Sequence, residues 1–349
     1  METLGHEGIP DDYRRQIFDL TTMLDIGKTV NSTLSLNDIS DIIKLTCSGH
    51  FHASEVKLLL PTEKKGQYFF SYPPDTEEMV FDSNHPLLQL FKDNQRAIDI
   101  DELKEHAGLK DVYKKLHGDD VELIIPFRSK FEINGILCLA SKEETFGEQY
   151  TAEEQRYMDI IASFASVAIE NARLYEMATL DRKTGLFNHG HFQNRLVEEI
   201  ERAERYKSDL SLMILDLDHF KQVNDTHGHV VGDEVLKRLA RTLREQIRSF
   251  DIPARFGGEE FTVILPETDS KSSLIVAERL RKAVEKLSFG SAKNRFSISV
   301  SIGVANFVHD NSLTDDLFVD LADRALYHAK ETGRNRVVCY EAIAGKAKS

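Results

Sequence analysis

Four acidic residues stand where two short segments could bring them together. Asp216 and Asp218, in Asp216-Leu217-Asp218-His219-Phe220-Lys221, close an apolar run that begins at Leu210. Glu259 and Glu260 follow a glycine pair in Gly257-Gly258-Glu259-Glu260-Phe261. A carboxylate at the end of a strand, beside a loop, can project into a site without being buried. A glycine pair lets the backbone approach a ligand closely. If the two segments pair as neighbouring strands, Asp216, Glu259 and Glu260 gather three carboxylates. Such a cluster repels itself until a cation enters it. Mg²⁺, or Mn²⁺ in its place, suits a site of few carboxylates completed by water and phosphate oxygens. Asp is also a preferred helix N-cap. That role is expected of Asp218, with Asp216 left to the site.

Two further segments carry polar chemistry. In Asn224-Asp225-Thr226-His227-Gly228-His229 and the following Gly232-Asp233-Glu234, an amide and a carboxylate could read a guanine edge. The carboxylate accepts from guanine N1–H and the exocyclic amine, which adenine cannot match. Turn and cap roles account for the same residues if the segment stands alone. In Ala329-Lys330-Glu331-Thr332-Gly333-Arg334-Asn335-Arg336, Lys330 and Arg334 close a helix. Cations there complement the helix dipole. Beside a carboxylate–metal site they also suit a triphosphate. The chain has no G-x-x-x-x-G-K-[ST] and no G-x-G-x-x-G, so the other common phosphate-binding loops lose support.

The elements that must position these residues can be read from periodicity. Helix is expected over 191–205, then the apolar strand 210–217, helices over 220–224 and 231–248, and strands 252–256 and 260–265 joined by the glycine turn. Helix 271–286, strand 295–304, helix 314–331 and strand 336–340 complete this half. Helices alternating with antiparallel strands suggest a ferredoxin-like βαββαβ core. The first half reads as an α+β domain with an antiparallel sheet: helices over 13–30 and near 37–48, then strands 55–60, 68–72, 122–128 and 133–141. Between the halves, residues 151–180 form a long helix. Tyr157, Ile160, Phe164, Val167, Asn171, Leu174 and Ala178 recur at alternating spacings of three and four, an a/d seam of roughly three heptads. The favoured reading is a parallel dimer seam, with Asn171 fixing register. The alternative is a helix packed on its own domain.

Composition agrees with two cored domains. The chain has 349 residues, 41% hydrophobic and 29% charged, and a net charge of −14. The acidic balance argues against a nucleic-acid polymer as partner. Cys47, Cys138 and Cys339 are far apart and form no C-x-x-C, so buried thiols in a reducing compartment are expected rather than disulfides or zinc. No apolar run approaches a membrane span, and a cytoplasmic protein with no membrane partner is the expectation.

On these motifs, taken in order, the chain from about Thr179 to Tyr340 resembles a GGDEF domain, the diguanylate cyclase family. Glu stands at the third position of the signature. The resemblance implies a nucleotide-cyclase palm fold that condenses two GTP into cyclic di-GMP and two pyrophosphates. It implies that Asp216, the Leu217 carbonyl, Glu259 and Glu260 serve the metal, with Glu259 and Glu260 catalytic. Phe220, Lys221, Asn224 and Asp233 would form the GTP site, with Lys330 and Arg334 on its triphosphate. Two domains must face each other, which implies a homodimer. Arg248 and Asp251, in Arg248-Ser249-Phe250-Asp251, match the family's inhibitory product site, with Arg279 as its secondary contact from a neighbouring domain. One departure is visible. In Asp181-Arg182-Lys183-Thr184-Gly185-Leu186-Phe187-Asn188-His189, Lys183 and His189 replace the usual Leu and Arg, which bears on coupling to the input helix.

The first half resembles a GAF sensor. The resemblance rests on Ile124-Ile125-Pro126-Phe127, Ile133-Asn134-Gly135-Ile136-Leu137 and the exit-helix run Glu170-Asn171-Ala172-Arg173-Leu174-Tyr175. Ser141-Lys142, Phe146 and Glu153-Glu154 partly match the cyclic-nucleotide pattern, so a small ligand such as cAMP is the first guess. The expected division is 1–150 sensor with N-terminal helix, 151–180 signalling helix and 181–349 cyclase.

Overall fold

The computed structural model describes residues 11–61, 70–72, 84–94, 96–106, 108–129, 132–143, 145, 149–290, 294–309 and 313–344. It divides into two compact units, Met1–Tyr175 and Glu176–Ser349.

The first unit runs α1 (Asp11–Val30), α2 (Leu36–Phe51), β1 (Val56–Leu60), β2 (Phe70–Tyr72), α3 (Pro86–Asp93) and β3 (Ile98–Asp99). A 3-10 helix (Ile100–Glu105), α4 (Lys110–Gly118), β4 (Val121–Arg128), β5 (Ile133–Ala140) and α5 (Ala152–Thr179) follow. The sheet order is β2-β1-β5-β4-β3, antiparallel throughout. Alternation along the strands sends side chains to two cores. Leu58, Leu60, Leu123, Ile125, Leu137 and Leu139 pack with α1, α2 and α5, whereas Leu59, Ile124, Ile136 and Cys138 pack with α3 and α4. The sheet is thus covered on both faces.

Helix α5 packs on its own unit, the alternative reading of its sequence, and Tyr157 and Phe164 of the expected seam turn inward with it. Met158, Ile161, Ala162, Ala165, Ala168, Ile169 and Ala172 bury against the sheet. Ile160, Val167 and Leu174, one heptad apart on the other stripe, remain exposed. Phe164 lies against α1 so closely that a methyl on Gly27 would stand 2.8 Å from its ring.

The second unit contains α6 (His189–Tyr206), β6 (Leu210–Leu217), α7 (Phe220–His227), α8 (His229–Gln246), β7 (Ile252–Arg255), β8 (Glu260–Pro266) and α9 (Ser270–Glu285). It ends with β9 (Val300–Asn306), α10 (Asp315–Glu331), β10 (Val337–Cys339) and α11 (Tyr340–Ala344). The order β9-β6-β8-β7 is antiparallel, with β10 added parallel to β9. This is the ferredoxin-like core the pattern predicts. Met213, Leu215 and Leu217 of β6 face α8 and α9; Leu210, Leu212 and Ile214 face α6 and α10. The strand expected from residue 295 begins only at Val300. Phe296 instead bridges to Phe289 and stacks on His227.

The three cysteines are free and buried. Burial pushes the Cys47 and Cys138 thiols up to about 12, which leaves them inert. Among the described residues no helix is long and apolar enough to cross a membrane.

Candidate active site

The central strand carries the site on its even-numbered face. Asp216 lies directly opposite Glu260 on β8 and Ser301 on β9. Directly opposed residues share a face, so Asp216 and Glu260 point the same way, towards the C-terminal end of α10. There the Lys330 ammonium lies 2.8 Å from Asp216 Oδ2. Asp216 is only 7% exposed. Burial pushes its carboxyl above the ordinary range against the pull of Lys330 and Arg334, and Asp218 adds to the rise. Burial also raises Glu259 and Glu260, and the charge of Asp216 raises both further. Asp216, Glu259, Glu260, Lys330 and Arg334 therefore form one electrostatic cluster.

No three His, Cys, Asp or Glu side chains among the described residues close into a ready-made metal cage. Mg²⁺ needs no such cage, since it keeps waters and phosphate oxygens beside one or two carboxylates. Carboxylates raised together, and balanced in part by Lys330, fit that use. Leu217 sends its side chain into the α8–α9 core and donates its N–H to the Glu259 carbonyl at 3.3 Å. The signature turn is thereby tied to the end of β6.

Asp218 takes a different role from the one its sequence position suggests. It caps no helix: His219 precedes α7 at φ 60 and makes no side-chain cap. The Asp218 carboxylate accepts hydrogen bonds from Ser299 Oγ at 2.6 Å, Ser301 Oγ at 2.7 Å and the Asn335 N–H at 3.0 Å. A buried carboxylate with this many donors stays satisfied. It joins β6 and β9 to the loop after α10, the loop that presents Arg334.

The glycine pair provides space. Neither glycine has positive φ. A methyl on Gly257 would stand 2.9 Å from Glu260 Oε2, whereas one on Gly258 would meet nothing within 4 Å. The turn is held by Arg255, which the sequence reading passed over. Its guanidinium donates to the Gly257 carbonyl at 3.1 Å and the Gly258 carbonyl at 2.7 Å, and reaches both Asp181 oxygens at 3.1 Å. A cation two residues before the glycines was the available signal. His189 packs edge-on against Phe256, beside the same turn.

The contact of α7 with α8 sets Asn224 against Gly232, the residue before Asp233. Asn224 Oδ1 occupies the space a side chain at Gly232 would need: a methyl there would stand 2.0 Å from it. Phe220 is buried beneath, with its ring tip 3.3 Å from the same point. Lys221 is exposed on the first turn of α7. Asp233 already has a partner, because Lys183 Nζ lies 2.6 Å from its Oδ1. Arg334, exposed at φ 58, donates its N–H to the Ala329 carbonyl at 3.0 Å and so closes α10.

Arg248, Asp251 and Arg279 also converge. The Arg248 N–H donates to Asp251 Oδ2 at 2.7 Å. Asp251 is 6% exposed, and its Oδ1 is buried with no hydrogen-bond partner. Burial raises its carboxyl, and Arg248 and Arg279 oppose that rise. Arg279 also donates to the Gln246 carbonyl of its own chain.

The family profile described as diguanylate cyclase, GGDEF domain, matches residues 178–336. Diguanylate cyclase A of Treponema denticola is 32% identical over 334 residues, 93% of this chain and 89% of that protein. Diguanylate cyclase DgcP of Pseudomonas aeruginosa is 36% identical over 258 residues, 70% of this chain and 37% of that protein. The solved coiled coil and GGDEF domain of DgcB from Caulobacter crescentus, in complex with c-di-GMP, is 29% identical. It covers 54% of this chain and all of its own, with a TM-score of 0.49.

Proposed function

The chain belongs to the GGDEF diguanylate cyclase family and carries that activity, and from this premise we propose how its own residues join two GTP molecules. The single observation that carries the reading is the register of β6 and β8, which sets Asp216 opposite Glu260 with Glu259 beside them. Asn224 and Asp233 read the guanine edge over Phe220. Lys330 and Arg334 bind the triphosphate as charge-assisted donors, and Lys221 lines the nucleotide site. Glu259 accepts the proton of the 3′-OH as that oxygen bonds to the α-phosphorus of the facing GTP and pyrophosphate leaves. The second half repeats the step in the other direction and closes the ring. Asp216, Glu259, Glu260 and the Leu217 carbonyl would hold a divalent metal, Mg²⁺ or Mn²⁺, which would supply charge stabilisation on the phosphates. The protein's own part is positioning and preorganised charge. Incubation with Mg²⁺ and either GTP or ATP, read by chromatography, tests this. Cyclic di-GMP from GTP alone is expected, and consumption of ATP at a similar rate would remove the base-reading roles of Asn224 and Asp233.

We propose three regulatory features beside the reaction. A parallel homodimer, supported by the exposed stripe of α5, brings two GTP sites face to face. Product feedback acts at Arg248 and Asp251, supported by the convergence of Arg248, Asp251 and Arg279, with Arg279 contributing. The first unit is a GAF-like sensor whose ligand is a small molecule, with cAMP as the candidate. There Lys142 reaches both Glu154 oxygens at 2.9 Å, so the chain itself takes up two residues of the partial pattern. Phe146 lies outside the described residues. Calorimetry with cAMP and cGMP decides the ligand class.

A further inference from the structure

Lys183 is one of two residues at which the segment after α5 departs from the usual pattern, and it reaches Asp233, the carboxylate proposed to read the base. It lies on the turn that follows α5, and that turn is closely fixed. Asp181 accepts from Thr184 N at 2.9 Å and Thr184 Oγ1 at 2.7 Å, and its N–H donates to the Leu186 carbonyl at 2.7 Å. Arg255 grips Asp181 from the signature side, and Arg244 donates to the Gly185 carbonyl. From this base the Lys183 ammonium extends to Asp233 Oδ1, 2.6 Å away, across fifty residues of sequence. Lysine and aspartate side chains are 50% and 38% exposed.

A guanine bound through N1–H and its 2-amino group needs both oxygens of Asp233, one for each donor. Lys183 holds one of them. Each oxygen can accept twice, so the two ligands compete for the approach to Oδ1 rather than for its last lone pair. An exposed ion pair of this kind is weak, so a base offering two donors can displace it, whereas a base without them has nothing to gain by doing so. We propose that Lys183 is a displaceable internal occupant of the guanine-reading carboxylate, so that GTP enters by exchanging with a lysine carried on the turn that follows α5 in the chain. Any displacement of that turn moves the lysine's anchor, and so changes how strongly it competes with substrate. The wider consequence is that signal from α5 reaches substrate affinity through a single side chain, separately from the Arg255 link to the signature turn. This inference rests on Asp233 reading guanine.

The test uses the full chain and 3′-deoxy-GTP, which carries the base and triphosphate but lacks the attacking hydroxyl. Binding is measured by calorimetry with Mg²⁺ for the parent, Lys183→Met, Asp233→Asn and the double variant. Met keeps the stem and removes the charge. Lys183→Met is expected to bind 3′-deoxy-GTP about three- to fivefold tighter, the scale of one exposed pair. The gain should shrink as salt rises, and 3′-deoxy-ATP affinity should stay unchanged. In the Asp233→Asn background the same substitution should have no effect. Equal or weaker 3′-deoxy-GTP binding by Lys183→Met, beside a weakened Asp233→Asn, overturns the exchange alone. Unchanged binding by Asp233→Asn overturns the base-reading role and the exchange with it.

Discussion

Lys330 Nζ and Asp216 Oδ2 are 2.8 Å apart, so the carboxylate assigned to the metal carries an intrachain cation. Even so, the Asp216 carboxyl is raised, because burial outweighs that lysine. Ionised Asp216 is therefore a strain on the metal-free fold at neutral pH. The stability linked to its proton is fully present below 3.8, the ordinary value, and is lost as pH rises through the raised folded value. Metal-free Asp216→Asn should melt above the parent at pH 7, and the difference should fade as pH drops to about 4. A variant that melts below the parent at pH 7 would show that the lysine wins.

The same substitution should remove activity. Loss of one preorganised charge at a phosphoryl-transfer site costs about 10²- to 10³-fold in rate. Asp216→Asn and Glu260→Gln should each fall by at least that much while circular dichroism stays that of the parent. Mg²⁺ should raise the parent's melting temperature and leave Asp216→Asn almost unmoved. Near-normal turnover in purified Asp216→Asn would remove the metal assignment.

Gly232 tests the proposed guanine subsite without touching a residue assigned to the ligand. Its missing side chain is the space Asn224 Oδ1 occupies. Gly232→Ala must push Asn224 aside or open the α7–α8 contact, an overpacking cost of about 1–3 kcal/mol. The expected result is a several-fold rise in KM for GTP with a lowered melting temperature. Unchanged KM and stability would mean that Asn224 has another acceptable position and does not fix the base.

These sites were unequally legible in the sequence. The Asp216–Glu260 relationship followed from one apolar run that ends in acids and another that begins with them, because antiparallel pairing sets the end of one beside the start of the other. The role of Asp218 did not follow. Its partners Ser299, Ser301 and Asn335 lie 81, 83 and 117 residues away and meet it only once β9 and the loop after α10 are in place. Lys183 was visible as a departure, but its reach to α8 depends on the turn being held by Asp181, Arg244 and Arg255. The start of β9 was misplaced because the Arg295–Ile298 stretch alternates like a strand, while Phe296 finds its partners in Phe289 and His227.

The proposed product site makes a kinetic prediction. The Asp251 carboxylate accepts from the Arg248 N–H and lies within the field of both Arg248 and Arg279. The guanine N1–H and amine of cyclic di-GMP are suitable donors, and Arg248 can meet O6 and N7 from the other edge. Arg248→Ala should start at a rate within twofold of the parent and continue after the parent has stalled. Identical progress curves with added cyclic di-GMP would leave the site silent.

The last prediction concerns the two faces of α5. One face is committed to the first unit's core through Met158, Ile161, Ala165, Ile169 and Ala172. The other leaves Val167 54% and Leu174 58% exposed, at the heptad spacing that a partner helix needs. A charge placed on the exposed stripe should leave the protomer's fold alone and act only on assembly. Val167→Glu should keep the parent's circular dichroism and its affinity for 3′-deoxy-GTP. It should run as a monomer by light scattering at micromolar protein, where the parent runs as a dimer. Its specific activity should then fall steeply on dilution, because each turnover needs two GTP sites to meet. A monomeric parent whose rate stays proportional to enzyme concentration would overturn the dimer, and a dimeric, fully active Val167→Glu would place the interface elsewhere.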